Sequence, residues 1–137
     1  MTEIQRDLKS ILKSRIGKGK IIILIGPRQV GKTTLFKSMI SEAGFLDTAQ
    51  YWNCDESDVR SMLTKESSAH FRPLIGKSKF IVIDEAQRVK NIGLILKILY
   101  ENFQDVQFAV TGSSSLDLSN TLNEPLTGRK FEYNLFP

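Results

Sequence analysis

Apolar residues recur along this chain with two periods, and the switches between them mark out its elements. Ile4, Leu8, Ile11 and Leu12 fall at helical spacing, so residues 3–15 read as an amphipathic helix, with Gly17 and Gly19 as the break after it. Residues 21–25, IIILI, are continuously aliphatic, the pattern of a strand buried on both faces. Leu35, Phe36, Met39 and Ile40 give residues 32–43 a helical apolar stripe. QYWNCD, residues 50–55, reads as a short strand, and residues 56–76 as helical pieces interrupted near Pro73 and Gly76. KFIVIDEA, residues 79–86, is a second apolar strand that ends abruptly in two acids. In NIGLILKILYENF, residues 91–103, Ile92, Ile95, Leu96, Leu99 and Phe103 share one helical face. VQFAVTGSSS, residues 106–115, runs from a strand into a small polar loop, and RKFEYNLF, residues 129–136, alternates as a strand does. Strands separated by helices predict right-handed parallel crossovers and a sheet covered on both faces, an α/β fold without internal repeats.

Composition narrows this picture without redirecting it. At 137 residues the chain is about one domain, and 41% hydrophobic with 25% charged residues excludes disordered and collagen-like readings. The longest apolar run, residues 21–25, is too short to cross a membrane, and residues 1–20 carry charges where a signal peptide would be apolar. The expected location is the cytoplasm, with no membrane partner. Cys54 and His70 are the only residues of their types, so neither an intramolecular disulfide nor a Cys/His zinc cluster is expected, and both read as structural.

Charge is uneven. Residues 1–37 hold nine Lys/Arg against two acids, whereas the net charge of the whole chain is +4. Such an excess suits a nucleotide's phosphates, a solvated helix face or nonspecific contact with nucleic acid. No nucleic-acid recognition motif accompanies it.

The basic portion contains the most specific chemistry. Gly26-Pro27-Arg28-Gln29-Val30-Gly31-Lys32-Thr33 satisfies the pattern of glycine, four residues, glycine, lysine and serine or threonine, between a predicted strand and a predicted helix. Glycines let the backbone wrap an anion so that N–H groups and the positive end of the helix face it. Lys32 is placed to reach β- and γ-phosphates, the Thr33 hydroxyl to ligate Mg²⁺, and Thr34 to lie near the α-phosphate. At the end of the second apolar strand, Asp84 is the candidate Mg²⁺ carboxylate and Glu85 the group that polarises a water for in-line attack on the γ-phosphate. Thr111 and Ser113, after the third apolar strand, are alternative hydroxyls for contacting the γ-phosphate or attacking water. Arg129 is a candidate for stabilising transition-state charge in its own subunit or a neighbour's, or else a solvated surface arginine.

Taken together, GPRQVGKTTL, FIVIDEAQRV, VTGSSS and LTGRKFEYNLFP resemble the N-terminal ATPase domain of a bacterial and archaeal AAA+-like family that carries a separate C-terminal domain of unknown function. The resemblance covers nearly all of residues 20–137. It implies a three-layer α/β/α fold with a mainly parallel five-stranded sheet in the order 5-1-4-3-2. It also implies ATP and Mg²⁺ as ligands, Lys32 and Thr33 as their contacts, Asp84 as metal carboxylate, Glu85 as catalytic carboxylate and residues 111–114 as a sensor turn. Family members continue past the position of Pro137 into a lid and the C-terminal domain, so this chain is expected to be a fragment comprising one ATPase core. A homo-oligomer is a further expectation, because related ATPases draw an arginine from the adjacent subunit.

Two functions compete. One is Mg²⁺-dependent ATP hydrolysis coupled to an effector domain. The other is a nucleotide-gated module with little turnover that docks DNA or a protein. A GTPase is disfavoured, because Asp84-Glu85-Ala86-Gln87 stands where Asp-x-x-Gly would and no guanine motif is present. Glu85 and the polar third-strand end favour water over a small-molecule acceptor.

Overall fold

The computed structural model describes residues 2–28, 31–113 and 121–135. Among them, the elements run α1 (Glu3–Arg15), β1 (Ile21–Ile25), α2 (Lys32–Glu42), β2 (Ala49–Asn53), α3 (Ser57–Met62), α4 (Ser68–Ile75), β3 (Phe80–Asp84), α5 (Ile92–Asn102), β4 (Gln107–Gly112) and β5 (Lys130–Asn134). All five strands pair in parallel in the order β2-β3-β4-β1-β5, which is the expected 5-1-4-3-2 read from the other edge.

Side-chain alternation along β1 explains why IIILI is wholly apolar. Ile21, Ile23 and Ile25 enter a core built with Phe71 and Ile75 of α4 and Ile95, Leu96 and Leu99 of α5. Ile22 and Leu24 enter a second core with Leu12 of α1 and Leu35, Phe36, Met39 and Ile40 of α2. Each face of the sheet is covered, so no strand position can be polar without a partner. The result is a three-layer α/β/α stack. Burying a side chain such as Phe36 or Leu35 contributes about 1.5–3 kcal/mol.

The first helix is part of this body rather than an appendage. Thr2 and Gln5 form a reciprocal capping box at its start. Lys9 and Lys13 then reach across to Glu42 at the end of α2, Lys13 at 3.4 Å. Pro73 departs from the sequence expectation. It lies inside α4, which runs on to Ile75 and stops at Gly76, and the real break falls at residues 63–67. Losing one N–H is tolerated because Phe71 and Ile75 anchor the short helix in the core.

Cys54 and His70 both make contacts within the fold. The Cys54 thiol is fully buried, and burial pushes its pKa up to about 12. The His70 ring nitrogen Nε2 lies 2.9 Å from the Met62 carbonyl, and the ring meets Phe71 edge-on.

Candidate nucleotide site

Parallel strands deliver their C-terminal ends to one edge of the sheet, the edge at which open α/β sheets bind ligands. Here that edge carries a cleft of about 320 Å³ lined by Arg28, Gly31, Lys32, Thr33, Thr34, Asp55, Asp84 and Glu85. Seven of these eight are residues that the motifs single out. Asp55 is the addition.

The loop between β1 and α2 is shaped by its glycines for two different reasons. Gly31 sits at φ 82°, a left-handed conformation that starts α2 without any side-chain cap, so the first-turn N–H groups remain available to an anion. Gly26 is required by packing. A Cβ there would run into the carbonyl oxygen of Leu135, just past β5. Gly26 also donates its N–H to the Gly112 carbonyl at 3.0 Å, while Leu135 donates to Ile25 at 2.7 Å, so the loop leaves the sheet between two neighbouring chain segments. Gln29 and Val30, also expected in the phosphate loop, lie outside the described residues, as does Ser114 of the sensor turn.

Lys32 is buried and folds back on the loop. Its Nζ donates to the carbonyl of Gly26 at 2.5 Å and of Pro27 at 2.9 Å, and stands 4.0 Å from Glu85 Oε1. Burial holds its pKa below the ordinary lysine value, opposed by the charges of Glu85 and Asp84. Thr34 is exposed at the cleft rim.

Thr33 and Asp84 meet across the cleft, the Thr33 hydroxyl donating to Asp84 Oδ2 at 3.0 Å. A hydroxyl and a carboxylate are hard oxygen donors of the kind Mg²⁺ takes, with its remaining positions left to water and phosphate oxygens. The residues therefore fit a Mg²⁺–nucleotide pair.

Thr111 and Ser113 both contact the acidic pair. Ile83 pairs with Val110, so the next residues, Asp84 and Thr111, stand side by side at the strand ends. The Thr111 hydroxyl, fully buried, donates to Asp84 Oδ1 and accepts the Glu85 N–H at 3.0 Å. That second bond braces Glu85 at φ 56°, a left-handed backbone that is rare outside glycine and found where function constrains a residue. Ser113 donates to Glu85 Oε2 at 2.9 Å. Gln87 Nε2 does so at 2.9 Å, and Arg28 Nη2 pairs with the same oxygen at 3.2 Å.

Arg129 is the residue that the structure does not bring to the cleft. Its carbonyl accepts the N–H of Ile21 at the opposite end of β1, and Lys130 pairs with Ile21. Four residues of strand, about 13 Å, separate that end from the phosphate loop. The guanidinium stands over Tyr100 and lies 3.4 Å from Glu101, without the alignment of a hydrogen bond. Of the roles left open for Arg129, its position leaves it away from its own subunit's cleft: a residue entering a parallel strand stands at the N-terminal edge.

Much of the N-terminal charge surplus is engaged within the fold. Lys9 and Lys13 hold Glu42, Arg15 and Lys20 stand over Phe131, Lys37 stands over Tyr51, and Arg28 and Lys32 belong to the cleft. The sequence reading missed Asp55. Its signal was position, an acid just after a strand end in a parallel sheet.

Comparison with known proteins bears on the fold and the family. Two mycobacterial relatives, uncharacterized proteins of Mycobacterium bovis and Mycobacterium tuberculosis, are each 29% identical over 126 residues, 91% of this chain. The chain spans 27% of their length. Among solved structures, Drosophila ORC bound to DNA superposes with a TM-score of 0.68 at 15% identity, over 98% of this chain and 91% of that one. The Thermotoga maritima RuvB Holliday junction branch migration motor gives 0.63 at 24% identity, over 100% and 45%. Caenorhabditis elegans PCH-2 gives 0.63 at 18%, over 96% and 41%. At such identities the likeness concerns the fold. A family model described as an AAA domain matches residues 18–137. Because that match takes in every strand of the sheet and the cleft at its mouth, the chain belongs to the AAA domain family, with the fold of P-loop AAA+ ATPases.

Proposed function

We propose that this domain binds ATP with Mg²⁺ and hydrolyses it, driving a conformational change in an effector region beyond this core. The observation that carries the proposal is the placement of Glu85. Its Oε2 is occupied by Ser113, Gln87 and Arg28, while Oε1 faces the buried Lys32 ammonium inside the cleft.

In this reading the first-turn N–H groups of α2 and Lys32 hold the β- and γ-phosphates, Lys32 exchanging its loop carbonyls for phosphate oxygens. Thr33 and Asp84 would hold Mg²⁺, which would supply positive charge to offset the negative charge developing on the phosphate oxygens. Glu85 Oε1 orients a water and takes its proton as the water oxygen bonds to the γ-phosphorus and the bond to the β–γ bridging oxygen breaks. The products are ADP and phosphate. Thr111 holds the Asp84 carboxylate and the Glu85 backbone in place.

Steady-state ATPase assays on the full-length protein test this. Glu85→Gln should keep ATP affinity and lose hydrolysis by about a hundredfold or more, within the range of general-base removal. Lys32→Ala should lose affinity. Equal rates for wild type and Glu85→Gln would sink the hydrolytic role and leave a nucleotide-gated binding module for DNA or a protein as the reading to pursue.

A further inference from the structure

The geometry points to Asp55 as a positioning residue for Glu85, acting through Arg28; this rests on the hydrolytic reading above. Asp55 lies two residues beyond β2, and the pairing of Asn53 with Asp84 brings it to the mouth of the cleft. Its turn is built firmly. Cys54 donates its N–H to the Asp84 carbonyl at 2.9 Å, Asp55 donates its own to Asn53 Oδ1 at 3.0 Å, and Arg60 binds the carbonyls of Cys54 and Asp55 at 2.9 and 2.8 Å.

From there both carboxylate oxygens of Asp55 face the Arg28 fork, Oδ2 at 3.5 Å from Nη1 and Oδ1 at 3.4 Å from Nη2. Arg88 Nη1 sits 2.9 Å from Oδ1 and braces the acid from the far side. Arg28 is an exposed side chain on the phosphate loop, free to sample many rotamers unless held. Held by Asp55, it presents Nη2 to Glu85 Oε2 at 3.2 Å. With the hydrogen bonds from Ser113 and Gln87, this ion pair makes a third contact on one oxygen of Glu85. A carboxylate rotates about its last bond, so saturating Oε2 decides that Oε1 is the oxygen presented to the cleft. Asp55 therefore acts at one remove. It fixes the guanidinium that fixes the carboxylate.

The test is steady-state ATP hydrolysis by the full-length protein carrying Asp55→Asn and Asp55→Glu, alone and with Arg28→Ala. Asp55→Asn, which keeps the shape and removes the charge, is expected to lower kcat about tenfold with KM changed by less than about twofold, as misorientation of a reacting group does. Asp55→Glu restores the charge and should recover part of kcat. In the Arg28→Ala background, Asp55→Asn should change kcat much less than it does in the wild type, because its effect passes through Arg28. A wild-type rate that depends on Glu85 but is unchanged or raised by Asp55→Asn overturns the positioning role alone. So does a loss that appears only in KM, equal kcat for the Asn and Glu variants, or full additivity with Arg28→Ala. A wild-type rate equal to that of Glu85→Gln overturns this role and the hydrolytic reading together.

Discussion

The Thr111 hydroxyl accepts the backbone N–H of Glu85 at 3.0 Å while it donates its own hydrogen to Asp84. One buried side chain on β4 thus sets the two neighbouring acids at the end of β3. Thr111→Val keeps the shape and removes both bonds, leaving a buried N–H without its acceptor. The expected cost is about 1–3 kcal/mol of stability, with slower ATP turnover as Asp84 and Glu85 lose their brace. Thr111→Ser keeps the hydroxyl and should retain most of both properties. Urea denaturation and ATPase rates on the two variants check this, and a Val variant as stable and active as the wild type would count against the bracing role.

Glu42 ties α1 to α2 by accepting from Lys9, from Ser38 at 3.1 Å and from Lys13 at 3.4 Å. The Lys9 bond is the largest cause, followed by Ser38, of a pKa lowered from 4.5 to about 2. A carboxylate with a depressed folded-state pKa contributes stability that is fully present above its unfolded value and is lost as pH falls through the folded value. Its contribution should therefore fade between pH 4.5 and about pH 2. Glu42→Gln removes that dependence. Thermal melts across this window should show a shallower acid decline for the variant, and parallel profiles would contradict it.

Gly26→Ala separates the structural reason for the first loop glycine from any phosphate contact. The added methyl meets the backbone carbonyl of Leu135, which cannot rotate away as a side chain can. The expected result is destabilisation of about 1–3 kcal/mol, as overpacking gives, measured with no nucleotide present. Unaltered stability in thermal or denaturant unfolding would show that the strand end can move aside.

Much of this domain is legible in its sequence, because local pattern and local chemistry coincide. IIILI followed by Gly-x4-Gly-Lys-Thr needs only a strand, a turn and a helix start to be read, and FIVIDE needs only a strand and its end. The apolar stripes of α2 and α5 likewise name the residues that the two cores bury. Amphipathic period and motif spacing act over a few residues, within reach of the sequence alone.

What the chain does with distant residues was decided only by the sheet. Register between β3 and β4 brought Thr111, one of two candidate sensor hydroxyls, into contact with both Asp84 and Glu85. Pairing of β2 with β3 brought Asp55 to a cleft whose motifs do not include it. Parallel pairing of β5 with β1 put Arg129 at the N-terminal end of the sheet, the end opposite the cleft. Strand order and register depend on which long-range pairings bury the most apolar surface while satisfying every backbone group. No short stretch carries that information, so the local half of the site could be read beforehand and the long-range half only from the folded chain.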